Sequence, residues 1–134
     1  MDKDLLRLKL QMLARCVERV RSQNVSSAEE LKSDLDKQEI VILNLQRAVQ
    51  ICVDVGSHVL LDHGATPETM ADTFRKMGEK GLIPATCAEN LVRAVAFRNI
   101  AVHQYDDLDP EVIFSVVANH LSDFAEFAKA VSAL

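Results

Sequence analysis

The chain has 134 residues, 49% of them apolar and 26% charged, with a formal net charge of -5. This length predicts one domain over residues 1–134 with a single core. The negative charge argues against broad, non-specific nucleic-acid binding, which needs a basic surface. No unbroken apolar run of about 18 residues occurs, and no signal-type segment follows the charged start. We therefore expect a cytoplasmic protein that does not enter a membrane.

The charges are unevenly distributed. Residues 1–21 carry six lysines and arginines against three carboxylates, whereas from Asp106 onward six carboxylates accompany one lysine. Such a protein can bind an anion locally and repel it elsewhere. The cysteines Cys16, Cys52 and Cys87 are far apart, at apolar helical positions and without metal-ligand spacing, so we expect buried, reduced thiols.

The first half of the chain predicts two long helices. The spacing of the leucines and valines between Leu6 and Val20 predicts an amphipathic helix over about 2–22. Overlapping capping boxes at Ser26 and Ser27 predict a helix that either begins there or restarts near Asp34. Residues 35–63 then form the central helix, whose apolar residues occupy two neighbouring rows.

Three further helices are predicted in the second half. Thr66 before Pro67 predicts a short helix over about 67–77. Thr86 and Glu89 form a capping box for the next helix, and Asp109 with the following proline begins a last helix that continues through His120 to Val131. We interpret His120 as a partly buried histidine with a local partner and not as a ligand. The fold class is all-α, an up-and-down bundle of about five helices.

One row of the central helix is polar and has two interpretations. Asn44, Arg47, Asp54 and His58 follow one another at spacings of three, seven and four. This row is either a solvated surface or one wall of a functional cleft, and spacing alone does not decide between them.

The segment Arg98–Tyr105 concentrates polar chemistry within an otherwise apolar stretch. Arg98 and Tyr105 would share a face of a continuous helix, and Asn99 and His103 would share the adjoining one. Arg98 and His103 are five positions apart and would diverge by about 140°. For both to contact one substrate group, either the helix unwinds near His103 or a second subunit completes the site.

The chemistry of this segment suits a phosphodiester. Arginine presents a planar cationic fork to phosphate oxygens, and histidine exchanges protons near neutral pH. With RNA, the 2′-hydroxyl would be the nucleophile, His103 would assist proton transfer, and Arg98 would stabilise charge on the phosphoryl oxygens. Asn99 would orient His103 or donate to the phosphate, and no metal or cofactor would be required. The structural alternative is that one arginine and one histidine in a helix serve only the fold.

Arg98-Asn99, three apolar residues and His103-x-Tyr105 resemble the R-x4-6-H-x-Y signature of the HEPN superfamily, in particular the HepT-like toxins encoded beside the nucleotidyltransferase antitoxin MntA. Residues 41–47 of the central helix resemble that family's second motif. The helical order and the length agree over nearly the whole chain.

The resemblance implies a role for each matching position. Arg98 and His103 match the catalytic pair that cleaves RNA without a metal, and Asn99 matches the polar residue after the arginine. Tyr105 matches the tyrosine that the antitoxin adenylylates to silence the toxin. Asn44 and Arg47 are expected as substrate-binding neighbours in the cleft. The family also implies a homodimer with the two motifs in a shared cleft.

Three hypotheses follow. The first is a ribonuclease toxin neutralised by an MntA-like nucleotidyltransferase. The second is a non-catalytic interaction or nucleotide-binding module that partners a nucleotidyltransferase. The third is a substrate-binding partner of a nucleotidyltransferase that acts on a small molecule. We favour the first.

Overall fold

A computed structural model describes all 134 residues as an all-α bundle without strands. Seven helices follow one another along the chain: α1 Lys3–Arg21, α2 Ala28–Ser33, α3 Leu35–Asp62, α4 Met70–Glu79, α5 Ala85–His103, α6 Pro110–Asn119 and α7 Leu121–Ser132. A short 3₁₀ turn, Tyr105–Asp107, lies between α5 and α6. The all-α prediction is confirmed, but the expected number of about five helices is too low.

The long helix α3 is the centre of the bundle. It packs against α1, α2, α4, α5 and α7. All ten residues of its two apolar rows are buried, as the 3.6-residue periodicity predicts: Val41, Leu45, Ala48, Cys52, Val55, Val59, Ile42, Val49, Val53 and Leu60. Leu35–Asp62 is also long and apolar enough to cross a membrane, but its most apolar window is 61% buried inside the bundle. We therefore assign α3 as the core helix of the domain.

Both predicted starts near residues 27 and 34 occur. The Ser27 hydroxyl accepts from the Glu30 amide, and the Glu30 carboxylate accepts from the Ser26 amide. Asp34 then leaves the helical conformation at φ -111° and ψ 92°, and its carboxylate accepts from the Lys37 amide to begin α3. Each helix therefore begins at a cap of its own, and Asp34 lies between α2 and α3.

Two predicted helix starts are wrong. α4 begins at Met70 because the Thr69 hydroxyl accepts from the Asp72 amide while the Asp72 carboxylate accepts from the Glu68 amide. This reciprocal pair satisfies two free amides and outcompetes the expected cap at Thr66. At α5, the N-cap is Pro84, and Thr86 lies inside the first turn without a capping hydrogen bond.

The expected single C-terminal helix is also wrong, because the chain breaks at His120. This residue ends α6 at φ -124° and ψ 3° and precedes α7. The break lets α6 pack against α2 while α7 packs against α1, α3 and α5. The His120 Nδ1 atom lies 3.0 Å from Asp123 Oδ2, in the first turn of α7, which confirms the interpretation of His120 as a histidine with a local partner.

Candidate active site

The Arg98–Tyr105 segment straddles the end of α5. The helix continues unbroken through His103, and Gln104 leaves it at φ -140° and ψ 49°. Tyr105 then begins the 3₁₀ turn. Arg98, Asn99 and His103 therefore lie on the last turns of one regular helix, and Tyr105 lies beyond its end.

Arg98 is half-buried and is held by polar side chains. Its Nη2 donates to Gln50 Oε1 of α3 at 3.1 Å, and its Nη1 donates to Asn99 Oδ1 at 3.3 Å. Its Nε is fully buried and has no hydrogen-bond partner. An unpaired buried donor of this kind costs about 1–3 kcal/mol. A phosphate that draws the guanidinium away from Gln50 could supply the missing acceptor.

His103 is exposed at the last position of α5. Because the helix is continuous from Arg98, the two side chains diverge by about 140° and their positions differ by about 7.5 Å along the axis. Of the two expected solutions to this divergence, unwinding before His103 does not occur in this structure. Asn99 and His103 keep the four-residue spacing of one helical face.

Tyr105 lies beyond the end of α5, so the continuous helix on which it would share a face with Arg98 does not reach it. Its side chain is exposed. Partial burial, together with the carboxylates of Glu39 and Asp106, raises the pKa of its hydroxyl. Tyr105 is therefore a neutral, accessible hydroxyl at physiological pH.

Asn44 and Arg47 line a groove between α1 and α3. Asn44 is only 8% exposed, and its Nδ2 donates to the Ile40 carbonyl at 2.8 Å, so the solvated-surface interpretation is wrong at this position. Arg47 is exposed. The same groove includes Gln50, which contacts Arg98. Gln50 therefore connects the groove lined by Asn44 and Arg47 to the Arg98 head group.

Gln50 was not predicted as a site residue. It lies three positions after Arg47 and four before Asp54, so it completes the polar row on α3 at helical spacing. Gln50 Nε2 donates to Asp54 Oδ1 at 3.0 Å, which leaves its oxygen free to accept from Arg98. Spacing alone could have identified Gln50, but its partner is 48 residues away and depends on the packing of α5 against α3.

The cysteines are free, and two are buried as expected. Burial raises the pKa of Cys87 to about 12, and that of Cys52 is also raised by burial. Cys16 departs from the expectation because it is partly exposed in the α1–α3 groove.

Known proteins resemble this chain over nearly its full length. The ribonuclease HepT-like family matches residues 13–131. The mRNA nuclease HepT of Shewanella oneidensis is 33% identical over 131 residues, which cover 97% of this chain and 98% of that protein. The tRNA nuclease HepT of Aphanizomenon flos-aquae is 22% identical over 130 residues, which cover 96% of this chain and 88% of that protein.

Solved structures agree with these matches. A tri-AMPylated HEPN toxin of Shewanella oneidensis, solved in complex with an MNT antitoxin, superposes with a TM-score of 0.91 at 31% identity and full coverage of both chains. A toxin–antitoxin structure with AMP-PNP gives the same TM-score and identity, with 98% of this chain and 100% of that chain covered. The resemblance inferred from Arg98–Tyr105 is confirmed, and the chain belongs to the HepT-like ribonuclease family.

Proposed function

We propose that this protein is the toxin of a toxin–antitoxin system, a metal-independent endoribonuclease that acts in the cytoplasm. Arg98 and His103 are its catalytic residues. The observation that carries this proposal is the half-buried Arg98 guanidinium with an unpaired Nε, five positions before an exposed His103 at the end of the same helix. The family match and the two relatives named as nucleases support the reaction class.

The cleavage step follows from RNA chemistry. The 2′-oxygen attacks the adjacent phosphorus, and the bond from phosphorus to the 5′-oxygen breaks, giving a 2′,3′-cyclic phosphate and a 5′-hydroxyl. His103, as the neutral imidazole, takes the 2′ proton, and the resulting His103 imidazolium gives a proton to the leaving 5′-oxygen. The guanidinium of Arg98 stabilises the negative charge on the phosphoryl oxygens. Asn99, hydrogen-bonded to Arg98 and on the same face as His103, orients the pair.

The working unit is a homodimer in this proposal. Within one chain the continuous α5 directs Arg98 and His103 in different directions. A second copy placed across the end of α5 can supply the missing side chain, and a two-fold axis then generates two equivalent sites. Ile100 and Val102, which are 38% and 41% exposed, flank the polar residues and would be covered by such a contact.

Tyr105 is the proposed point of control. A nucleotidyltransferase antitoxin would join the tyrosine oxygen to the α-phosphate of ATP and release pyrophosphate. The exposed, neutral hydroxyl is accessible to such an enzyme once the partner removes its proton. The attached adenylyl group would add bulk and negative charge at the end of α5 and repel an RNA phosphate. The tri-AMPylated toxin found with an MNT antitoxin supports this proposal.

The test is cleavage of total cellular RNA by the purified protein in excess chelator, beside the His103→Ala variant. The intact mass is measured first, so that an adenylylated sample is recognised. We expect the unmodified wild-type protein to cut a defined RNA and to leave 2′,3′-cyclic phosphate ends, while His103→Ala cuts nothing. An unmodified, folded and inactive wild-type protein would instead favour the non-catalytic interaction module.

A further inference from the structure

A groove between α1 and α3, here called the basic groove, extends away from Arg98. Its cationic residues are Arg15 and Arg19 of α1 and Arg47 of α3, and its polar floor includes Asn44 and Gln50. The groove has a volume of about 650 Å³, and none of the ten residues that line it is a carboxylate. This is a strongly cationic surface on a chain whose net charge is -5.

The three arginines of the basic groove form no ion pair within the protein. None of the ion pairs in the structure includes Arg15, Arg19 or Arg47. In contrast, Arg7 on the same helix pairs with Asp4 at 2.7 Å, and Lys9 lies 3.9 Å from Asp54. Three cationic side chains thus line one groove without a paired carboxylate, and such a groove favours an anion.

The arginines of the basic groove come from two helices and line the same cavity. Arg15 and Arg19 are one helical turn apart on α1, and Arg47 comes from α3. The charges of Arg15 and Arg47 both reach the Cys16 thiol, where they oppose the rise in its pKa that burial causes. A bound phosphate can therefore interact with guanidinium groups from both helices, each of which offers a planar fork.

The groove also adjoins the candidate active site. Gln50 lines the groove and accepts a hydrogen bond from Arg98 at 3.1 Å. An RNA strand whose scissile phosphate lies at Arg98 can thus continue past Gln50 towards Arg47 and the α1 arginines. Met12 and Leu43, which are 42% and 43% exposed on the walls, offer apolar contacts to sugars and bases.

We propose that the basic groove binds the phosphate backbone of the RNA substrate on one side of the scissile bond, with Arg15 and Arg19 as binding residues. This inference rests on the proposed ribonuclease function. It explains how a protein of negative net charge binds RNA, because affinity depends on phosphates neutralised locally and not on the total charge.

The test is RNA binding by the inactive His103→Ala protein, measured by fluorescence anisotropy with labelled single-stranded RNA over a range of salt concentrations. In this background, Arg15→Gln with Arg19→Gln is compared with Arg21→Gln with Arg75→Gln. The control pair removes the same charge from exposed positions outside the groove. We expect the groove pair to weaken binding roughly tenfold and to reduce the salt slope by about 1.4, with little change in the control.

Cys16 provides a second, independent readout because it lies in the groove and is the one cysteine that is not buried. Alkylation with iodoacetamide at pH 8.5, read by intact mass, will report access to the groove without any arginine substitution. Saturating RNA should slow the modification of Cys16 at least about fivefold in the His103→Ala protein. An equal rate with and without RNA would contradict the proposal.

The outcomes separate this inference from the ribonuclease proposal. If the wild-type protein cleaves RNA while the groove pair binds RNA as well as the control pair, the groove assignment is wrong and the nuclease stands. If the wild-type protein does not cleave RNA, the nuclease proposal fails. The binding and alkylation measurements then still show whether RNA binds in the basic groove. If the groove pair leaves RNA binding unchanged but converts dimer to monomer in light scattering, the groove is a subunit contact and the inference is wrong.

Discussion

The two parts of α5 differ in what their side chains contact. The first part buries Cys87, Leu91 and Val95 against the bundle, whereas Asn99 and His103 near its end are exposed. The same helix thus gains stability from one part and presents reactive groups with the other. Arg98 lies at the boundary, with two hydrogen bonds and one unpaired buried donor. Ala101 remains buried between these exposed residues, so the end of α5 is held by the fold while its polar side chains stay accessible.

Replacing Arg98 with lysine should give the largest effect, a loss of RNA cleavage. It tests whether the end of α5 serves activity and not stability. Lysine keeps the charge but loses the planar fork, so we expect RNA cleavage to fall about 10²- to 10³-fold. The free energy of unfolding in urea should change little. Lysine loses hydrogen bonds that Arg98 makes, but it also removes the unpaired buried Nε donor. Arg93→Lys, at an exposed position five residues earlier on α5, is the control and should keep its activity. Full activity of Arg98→Lys would exclude a forked phosphate contact.

The Leu91→Ala substitution tests the other side of the comparison. Leu91 is 1% exposed, so its truncation should lower the free energy of unfolding by about 2–5 kcal/mol. His103→Ala, at an exposed position at the end of the same helix, should change it by less than about 0.5 kcal/mol. Urea unfolding of the two variants measures the contrast. Equal losses would show that the end of α5 is as tightly integrated as its first part.

Gly56→Ala extends the test to the contact between α3 and α4. An added Cβ would lie 2.6 Å from Thr73 Cγ2 and 2.9 Å from Met77 Sδ. We expect a loss of about 1–3 kcal/mol from overpacking, measured by thermal or urea unfolding. In a solvent-exposed helix without a neighbour, the same substitution should stabilise by about 1 kcal/mol. The sign of the change in the free energy of unfolding therefore decides whether α3 and α4 are this close.

Glu30 gives the smallest expected effect, through pH. The backbone hydrogen bond from Ser26 and the contact with Lys37 hold the pKa of Glu30 below its ordinary value of 4.5. A lowered carboxyl pKa stabilises the fold above the unfolded value, and this contribution is lost as the pH falls through the folded value. The stability difference between wild type and Glu30→Gln should therefore be present at pH 7 and be lost as the pH falls below 4.5 and through the lowered folded pKa. Glu89→Gln, at an exposed position of α5, controls for the loss of one charge.

The core of this fold could be predicted from periodicity because burial follows the 3.6-residue repeat. Every apolar row residue predicted on α3 is buried. The break at His120 could not be predicted, because apolar residues keep helical spacing through it. Only the separate packing of α6 on α2 and of α7 on α5 requires the bend. The predicted start of α4 was wrong because the Thr69 hydroxyl and the Asp72 carboxylate both accept hydrogen bonds from backbone amides at the Met70 end of the helix.

The site was predicted less completely than the core. Arg98 and His103 were identified by their residue types and by the family resemblance, and their angular divergence followed from helix geometry. The position of Tyr105 depended on where α5 ends, and the partner Gln50 depended on a contact between helices distant in sequence. Local spacing describes one helix face, whereas a site assembled from several helices requires the tertiary structure.

Mixing two inactive variants tests the central claim most directly. Arg98→Ala and His103→Ala are each purified, unfolded together in equal amounts, refolded and assayed for RNA cleavage. If each site takes Arg98 from one protomer and His103 from the other, every mixed dimer regains one intact site. Half of the dimers are then mixed, and the activity should return to about a quarter of wild type. Cleavage that stays at the level of the separate variants, with mixed dimers verified by mass, would show that one chain supplies both residues and would contradict this account.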